Sequence, residues 1–237
     1  MRIDTGRIGH RRVMKLLVVD DHPVVRAGLR RLLAAEPRVE IREAATGQEA
    51  LGVFREFRPD LVLLDLNLPG IGGLEVIGRL KAEDAKVRIL VLSMHDNPMY
   101  VARVLQAGAK GYVSKNAPPE QIVEALNRVA AGQSYIEHEI AQELALWNVR
   151  ASPHPLKDLS SRELEILRLL GDGTSLPEIA DAIGVSYKTV ANHCSQIKAK
   201  LGAARTPDLI RIAISYGIST RDTSLADSMP EENKLQP

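Results

Sequence analysis

Five short, largely unbroken apolar runs dominate the first half of the chain, and each gives way to an amphipathic stretch. The runs are Leu16-Leu17-Val18-Val19, Val39-Glu40-Ile41, Leu61-Val62-Leu63-Leu64, Ile89-Leu90-Val91-Leu92 and Tyr112-Val113. Strands that are apolar at successive rather than alternate positions suit a parallel sheet covered on both faces. The intervening periodicity predicts helices near 23–35, 47–57, 73–82, 98–107 and 119–131. Pro23 and Pro98 stand where a helix would begin. Residues 15–132 are therefore expected to form a doubly wound α/β domain around a five-stranded parallel sheet.

After Gly132 the strand signal ends. Glu137 to Arg150 reads as a linker helix with Ile140, Leu144 and Trp147 on one stripe, inside a partly helical linker of 133–154. Ala151-Ser152-Pro153-His154-Pro155 breaks it. Residues 155–220 then read as all-α with four helices. Ser160 and Glu163 make a capping box for a helix ending at Gly171. Pro177 to Ile183 is a short helix closed by Gly184. Ser186 caps a longer one that runs to Leu201 and is closed by Gly202, and Thr206-Pro207 opens the last, to about Tyr216. Residues 1–14 and 221–237 carry no periodicity and are expected to be a disordered extension and tail.

Composition narrows the functions available. Lys+Arg number 31 against 30 Asp+Glu, so any nucleic-acid surface must be local. Aromatics are 3% of the chain, few for stacking platforms on single strands. Cys194 is the only cysteine, which excludes a disulfide framework and a cysteine zinc site. No apolar run approaches a membrane span, and Met1 to Val13 lacks the apolar core of a secretory signal. A cytoplasmic protein is expected.

The chemistry-bearing residues of the first domain stand where its strands end: Asp20-Asp21, Asp65, Ser93 and Ser114-Lys115. In an open parallel sheet the crevice beyond the carboxyl ends of the strands is the ligand site. Three crowded carboxylates either rise in pKa or share a cation, and all-oxygen ligands favour Mg²⁺. With Lys115 and Ser93 facing them, Asp65 has the setting of a phosphoryl acceptor. Each aspartate taken singly could instead cap a helix or turn. His95 reads as a loop residue, and His22 lacks a second His or Cys at ligand spacing, which weakens a zinc reading.

Val18-Val19-Asp20-Asp21-His22-Pro23, Leu64-Asp65-Leu66-Asn67-Leu68-Pro69-Gly70, Ser93 and Gly108-Ala109-Lys110-Gly111-Tyr112-Val113-Ser114-Lys115 resemble the flavodoxin-like receiver domain of bacterial two-component response regulators. The resemblance implies that Asp65 accepts a phosphoryl group from a sensor histidine kinase. It also implies Mg²⁺ on Asp20, Asp21, Asp65 and the backbone carbonyl of Asn67, with Lys115 and Ser93 on the phosphoryl oxygens and Tyr112 as a rotating switch aromatic. Asn116 stands where most receivers have proline, and Met94 where they usually have a small residue.

In the second domain, residues 176–195 read helix, turn, helix. Val185 to Arg211 holds five cations and one acid, whereas Ser160 to Gly184 holds two cations and five acids. A basic end confined to one side of a bundle suits contact with a DNA backbone. Leu159 to Leu167, Glu178-Ile179-Ala180 and Val185 to His193 resemble the LuxR-type DNA-binding domain, which joined to a receiver gives the NarL/FixJ subfamily. The resemblance implies a recognition helix over Ser186 to Leu201. Lys188, Asn192, Ser195 and Lys198 would face duplex DNA, Thr189 would meet phosphate, and Lys200 adds to the basic end. Many members carry lysine where this chain has Ala191.

The implied protein is a regulator rather than an enzyme, dimeric when phosphorylated or on DNA, with RNA polymerase as a further contact. The rival readings are an aspartyl-phosphate phosphatase, whose second aspartate is here Asn67, a protein- or RNA-binding output domain, and a small-molecule sensor. In the unphosphorylated chain the receiver and linker are expected to mask the recognition helix or helix 206–216.

Overall fold

In the computed structural model, residues 13–34, 38–94, 97–149 and 155–218 are described. The expected disorder of the N-terminal extension and the tail, the break at 151–154 and the loop placement of His95 lie outside them. The first domain alternates strand and helix: β1 (Met14–Val19), α1 (Pro23–Leu33), β2 (Val39–Ala44), α2 (Gly47–Phe57), β3 (Leu61–Leu64) and α3 (Gly73–Glu83). It continues with β4 (Arg88–Ser93), α4 (Pro98–Gln106), β5 (Gly111–Ser114) and α5 (Pro119–Ala130). The strands pair in parallel in the order β2-β1-β3-β4-β5-β6, with β6 the short Tyr135–Ile136. That order reverses direction between β1 and β3, so a crevice opens at the ends of those two strands.

The sixth strand corrects the expected count of five. It is Tyr135–Ile136, parallel to β5. Two ladder bonds define it, Tyr135 N to Lys110 O at 3.1 Å and Glu137 N to Tyr112 O at 3.2 Å. Two residues are too few to leave a periodic signal. The other correction is at the start: Met14 was assigned to the extension, yet it is buried, belongs to β1 and pairs with Val39.

Alternation along the apolar runs distributes the core to both faces of the sheet. Leu17, Val19, Val62, Leu64, Ile89, Val91 and Tyr112 face the α2–α4 side. Leu16, Val18, Leu61, Leu63, Leu90, Leu92 and Val113 pack with Leu29, Leu33, Ile122, Leu126 and Val129 of α1 and α5. The unbroken runs are thus two interleaved faces, each covered by helices.

A linker helix, α6 (His138–Val149), lies on α4 and buries Ile140, with Leu144 and Trp147 packed partly against the same core. A 3₁₀ turn, Pro155–Asp158, leads into α7 (Ser161–Gly171), α8 (Leu176–Ala182), α9 (Tyr187–Leu201) and α10 (Thr206–Ser215). Ser160 and Ser175 each cap their helix, and each donates its backbone N–H in return to the carboxylate three residues on, Glu163 and Glu178. Ser186 caps α9, and Gly202 closes it at φ 65, a left-handed position that glycine takes without steric cost.

The two domains touch. Gly70 N donates to Ala182 O at 2.5 Å, and Arg162 Nη2 donates to Ile183 O at 2.7 Å. Gly72 lies against the Glu165 carboxylate, where a Cβ would stand 3.3 Å away. The apolar cluster on the α2–α4 side runs on without a gap into Leu164, Leu167, Ile179 and Val190.

At Gly73 the approach is closer. A Cβ there would lie 2.5 Å from Leu66 Cα and 2.7 Å from Asp65 O, both backbone atoms. Gly73→Ala must push the strand end away, and a destabilisation of about 1–3 kcal/mol is expected from such overpacking. Calorimetric melting of the whole chain checks it; an unchanged melting temperature would show that the loop yields freely.

Candidate functional site

Asp20 and Asp21 follow β1 and Asp65 follows β3, on either side of the crevice. Backbone bonds hold the strand ends: Asp20 N donates to Ala44 O at 3.1 Å and Asp65 N to Val19 O at 2.8 Å. Both carboxylates are buried, as is Ser93 at the end of β4. Lys115, just past β5, places its Nζ 2.7 Å from Asp20 Oδ2 and 2.6 Å from Asp65 Oδ2. The second oxygen of each carboxylate accepts an amide two residues on, from His22 N at 2.8 Å and Asn67 N at 3.2 Å. Each aspartate therefore ties its own turn with one oxygen and shares the same ammonium with the other.

Burial pushes the Asp65 carboxyl above its ordinary value, against the pull of Lys115 and the Asn67 amide. Burial draws the Lys115 ammonium down, but its bonds to Asp20 and Asp65 outweigh this and raise it. With Asp21 beside them, three carboxylates share the crevice with one ammonium. Ligand atoms of Asp20, Asp21, His22 and Asp65 lie within 4.8 Å of one another, so the donors present fit a divalent cation. His22 is an addition to the sequence reading: its Nδ1 lies 2.7 Å from Asp21 Oδ1. Adjacency to Asp21 was the only signal for it, since ligand-spacing rules look for a second His or Cys.

Ser93 sits in register with Ser114 and accepts Lys115 N on its carbonyl at 2.9 Å, so β4 and β5 bring hydroxyl and ammonium to one edge. Met94, next in the chain, is exposed at the rim. Tyr112 is wholly buried among core residues on the α2–α4 side.

In the helical domain α9 separates two faces. Val190, Cys194 and Ile197 are buried, at spacings of four and three. Lys188, Asn192 and Ser195 form an exposed stripe at the same spacings, and Lys198 is half-buried beyond them. Thr189 is tied to the cap, its N donating to Ser186 Oγ at 3.1 Å. Tyr187, exposed at the first position of α9, was not among the residues singled out from sequence. Burial pushes the Cys194 thiol up, consistent with a packing role.

Lys200, expected to add to the basic end, has partners within its own domain. Its Nζ donates to Glu163 Oε2 at 2.6 Å and to Asp158 O at 3.1 Å, so its charge is paired within the bundle while the side chain stays exposed. The reason is local: Glu163 is already buried by its capping role, and burial would raise its carboxyl. Lys200 and Ser160 more than offset that and lower it.

Residues 16–127 match the family described as response regulator receiver domain, and residues 157–213 match bacterial regulatory proteins of the luxR family. The chain is 36% identical over 214 residues to the response regulator UvrY of Escherichia coli (strain K12), covering 89% of this chain and 98% of UvrY. A Salmonella typhimurium RcsB structure, described in terms of conformational dynamism for DNA interaction, superposes with a TM-score of 0.67 at 26% identity. It covers 87% of this chain and 99% of RcsB. RcsB from Salmonella enterica serovar Typhimurium bound to promoter rprA, with the phosphomimetic BeF3−, gives 0.62 at 26%, over 84% and 96% of the two chains.

Lys200→Met leaves Glu163 without its ammonium. A loss on the order of 1 kcal/mol is expected, reduced by the solvent exposure of Lys200. The sign with pH follows from the depressed Glu163 value. The stabilisation is full above the ordinary carboxylate range and disappears as pH falls through the folded value. Denaturant melts of wild type and variant should therefore converge at low pH; a gap that widened there would contradict the pairing.

Proposed function

The chain belongs to the bacterial response regulators that join a receiver to a LuxR-type DNA-binding domain, and from that premise we propose that Asp65 is the phosphoryl acceptor whose modification governs reading by α9. The observation that carries the proposal is the Lys115 ammonium shared at 2.6 and 2.7 Å between two buried carboxylates at adjacent strand ends. A sensor histidine kinase supplies the phosphoryl group: an Asp65 carboxylate oxygen forms the new bond to phosphorus as the bond to the donor's imidazole nitrogen breaks. Lys115 then exchanges a carboxylate oxygen for a phosphoryl oxygen, and Ser93 offers its hydroxyl to another. Asp20, Asp21, Asp65 and the Asn67 carbonyl would hold Mg²⁺, which neutralises phosphoryl charge when bound.

DNA is read by the exposed stripe Lys188, Asn192 and Ser195, with Lys198 at its end and Thr189 toward phosphate. The RcsB relative solved on a promoter with a phosphomimetic supports linking the two events. Two copies reading half-sites about one helical turn apart would place two reading helices on one face of the duplex. RNA polymerase is a further contact on this reading, and the cytoplasm, where the DNA is, is the place of work.

Asp65→Asn is expected to abolish labelling by acetyl phosphate, with Asp21→Ala weakening labelling and Mg²⁺ binding together. Undiminished labelling of Asp65→Asn would overturn the acceptor assignment. Lys188→Ala should weaken binding to all duplexes alike and reduce the salt dependence by about one counterion, whereas Lys200→Met should leave that slope unchanged. Fluorescence anisotropy across a salt series measures both; equal slopes for wild type and Lys188→Ala would remove Lys188 from the interface.

A further inference from the structure

The closed arrangement of the two domains leaves the reading face of α9 exposed, at Lys188, Asn192 and Ser195. Of the two expected targets of masking, the recognition helix and helix 206–216, only the second is held by the receiver through side-chain bonds. The receiver holds the end of α10. Asn97 Nδ2 donates to Tyr216 O at 2.6 Å and to Gly217 O at 3.1 Å. The same side chain caps α4, its Oδ1 accepting Met99 N at 3.0 Å. One amide thus starts a receiver helix with its oxygen and grips the other domain with its nitrogen.

The grip is continued by its neighbours. Gly217 turns the chain at φ 61, with the site of a Cβ 3.3 Å from Asn97 Nδ2, and Ile218 beyond it is fully buried. Further along α4, Arg103 Nη2 reaches three carbonyls at the entry to the helical domain: Leu156 O at 3.0 Å, Lys157 O at 2.5 Å and Leu159 O at 2.9 Å. Helix α4 therefore holds the helical domain at its first and last residues. Only three residues separate Asn97 from Ser93 in the acid pocket.

We propose that Asn97 is an interdomain clamp that ties the helical domain to the receiver by the end of α10. The clamp withholds the freedom of two copies to pair on DNA, not the contact of each copy with its own half-site. This rests on phosphorylation at Asp65 as the input. A pull on the Ser93 loop reaches Asn97 first, and loss of its two donated bonds frees α10 while α4 keeps its cap. In a two-state arrangement, each state is favoured by the contacts it alone makes.

Asn97→Asp separates the two duties, because a carboxylate of the same shape still caps α4 yet cannot donate and repels the Tyr216 and Gly217 carbonyls. Asn97→Ser, a capping residue too short for the grip, serves as a second variant. Unphosphorylated full-length chains would be titrated by anisotropy onto a duplex carrying one half-site and onto one carrying two, with small-angle scattering recording domain separation. The sites are first selected with wild type treated with acetyl phosphate.

Both variants are expected to extend the particle and to bind the two-site duplex about tenfold tighter than untreated wild type. That is the scale of two lost hydrogen bonds. On the single-site duplex, affinity should match wild type within about twofold, a split that mere loss of stability would not produce. Unchanged two-site binding in both variants, with wild type still activated by acetyl phosphate, would overturn the clamp and spare the acceptor reading. Equal gains on both duplexes would overturn it as well, by showing that DNA contact itself was withheld. Wild type indifferent to acetyl phosphate would count against the input at Asp65, while the variants alone decide the clamp.

Discussion

A lysine ammonium shared by two buried carboxylates is the interaction on which the receiver's geometry turns. Asp20 and Asp65 end neighbouring strands, and burial pushes the Asp65 carboxyl up against the pull of the shared ammonium. Lys115 reaches both from the opposite side of the crevice. Each carboxylate also satisfies the amide that starts its turn, so charge, loop conformation and strand ends are fixed together. Any anion delivered to Asp65 must compete for that ammonium, which gives the pocket a direct mechanical link to β5 and β4.

The contact between domains is built from different material. Backbone carbonyls, glycine approaches and a buried ionic group stand in it beside the continuous apolar seam. On α7, Arg168 bonds Glu165 and Asp172 at 2.9 Å each, and the Tyr100 hydroxyl of α4, pushed up by burial and by the Glu165 charge, lies close by. Desolvated ion groups gain little net stability, because the cost of leaving water offsets much of the attraction. Polar groups set into an interface between domains of one chain favour its opening and closing over permanent fusion.

Much of this was legible in the residues, and the failures have physical causes. Strands β1, β3, β4 and β5 announce themselves because both faces are apolar, and β2, at the edge, by its alternation; β6 has two residues, held by backbone bonds that carry no side-chain signal. The pocket was legible because four strand ends carry polar residues that an apolar sheet would otherwise exclude. The closeness of the His22 ring to Asp20 and Asp21 follows from the turn after β1 and leaves no ligand-spacing signal. Lys200 looks like one more cation of a basic helix end; only the packing of α7 against α9 brings it onto Glu163. The interdomain bonds accept on main-chain carbonyls, to which every residue type contributes alike, so no pattern of side chains could reveal them.

The chain's one cysteine lies on the inner face of α9, behind the exposed stripe of Lys188, Asn192 and Ser195. With its thiol buried and shifted toward the neutral form, it reacts only when the helical domain itself opens. The protein therefore carries a native clock for one of its two domains. Thiol-capture kinetics report breathing of the reader without a label, and they are blind to every fluctuation confined to the receiver.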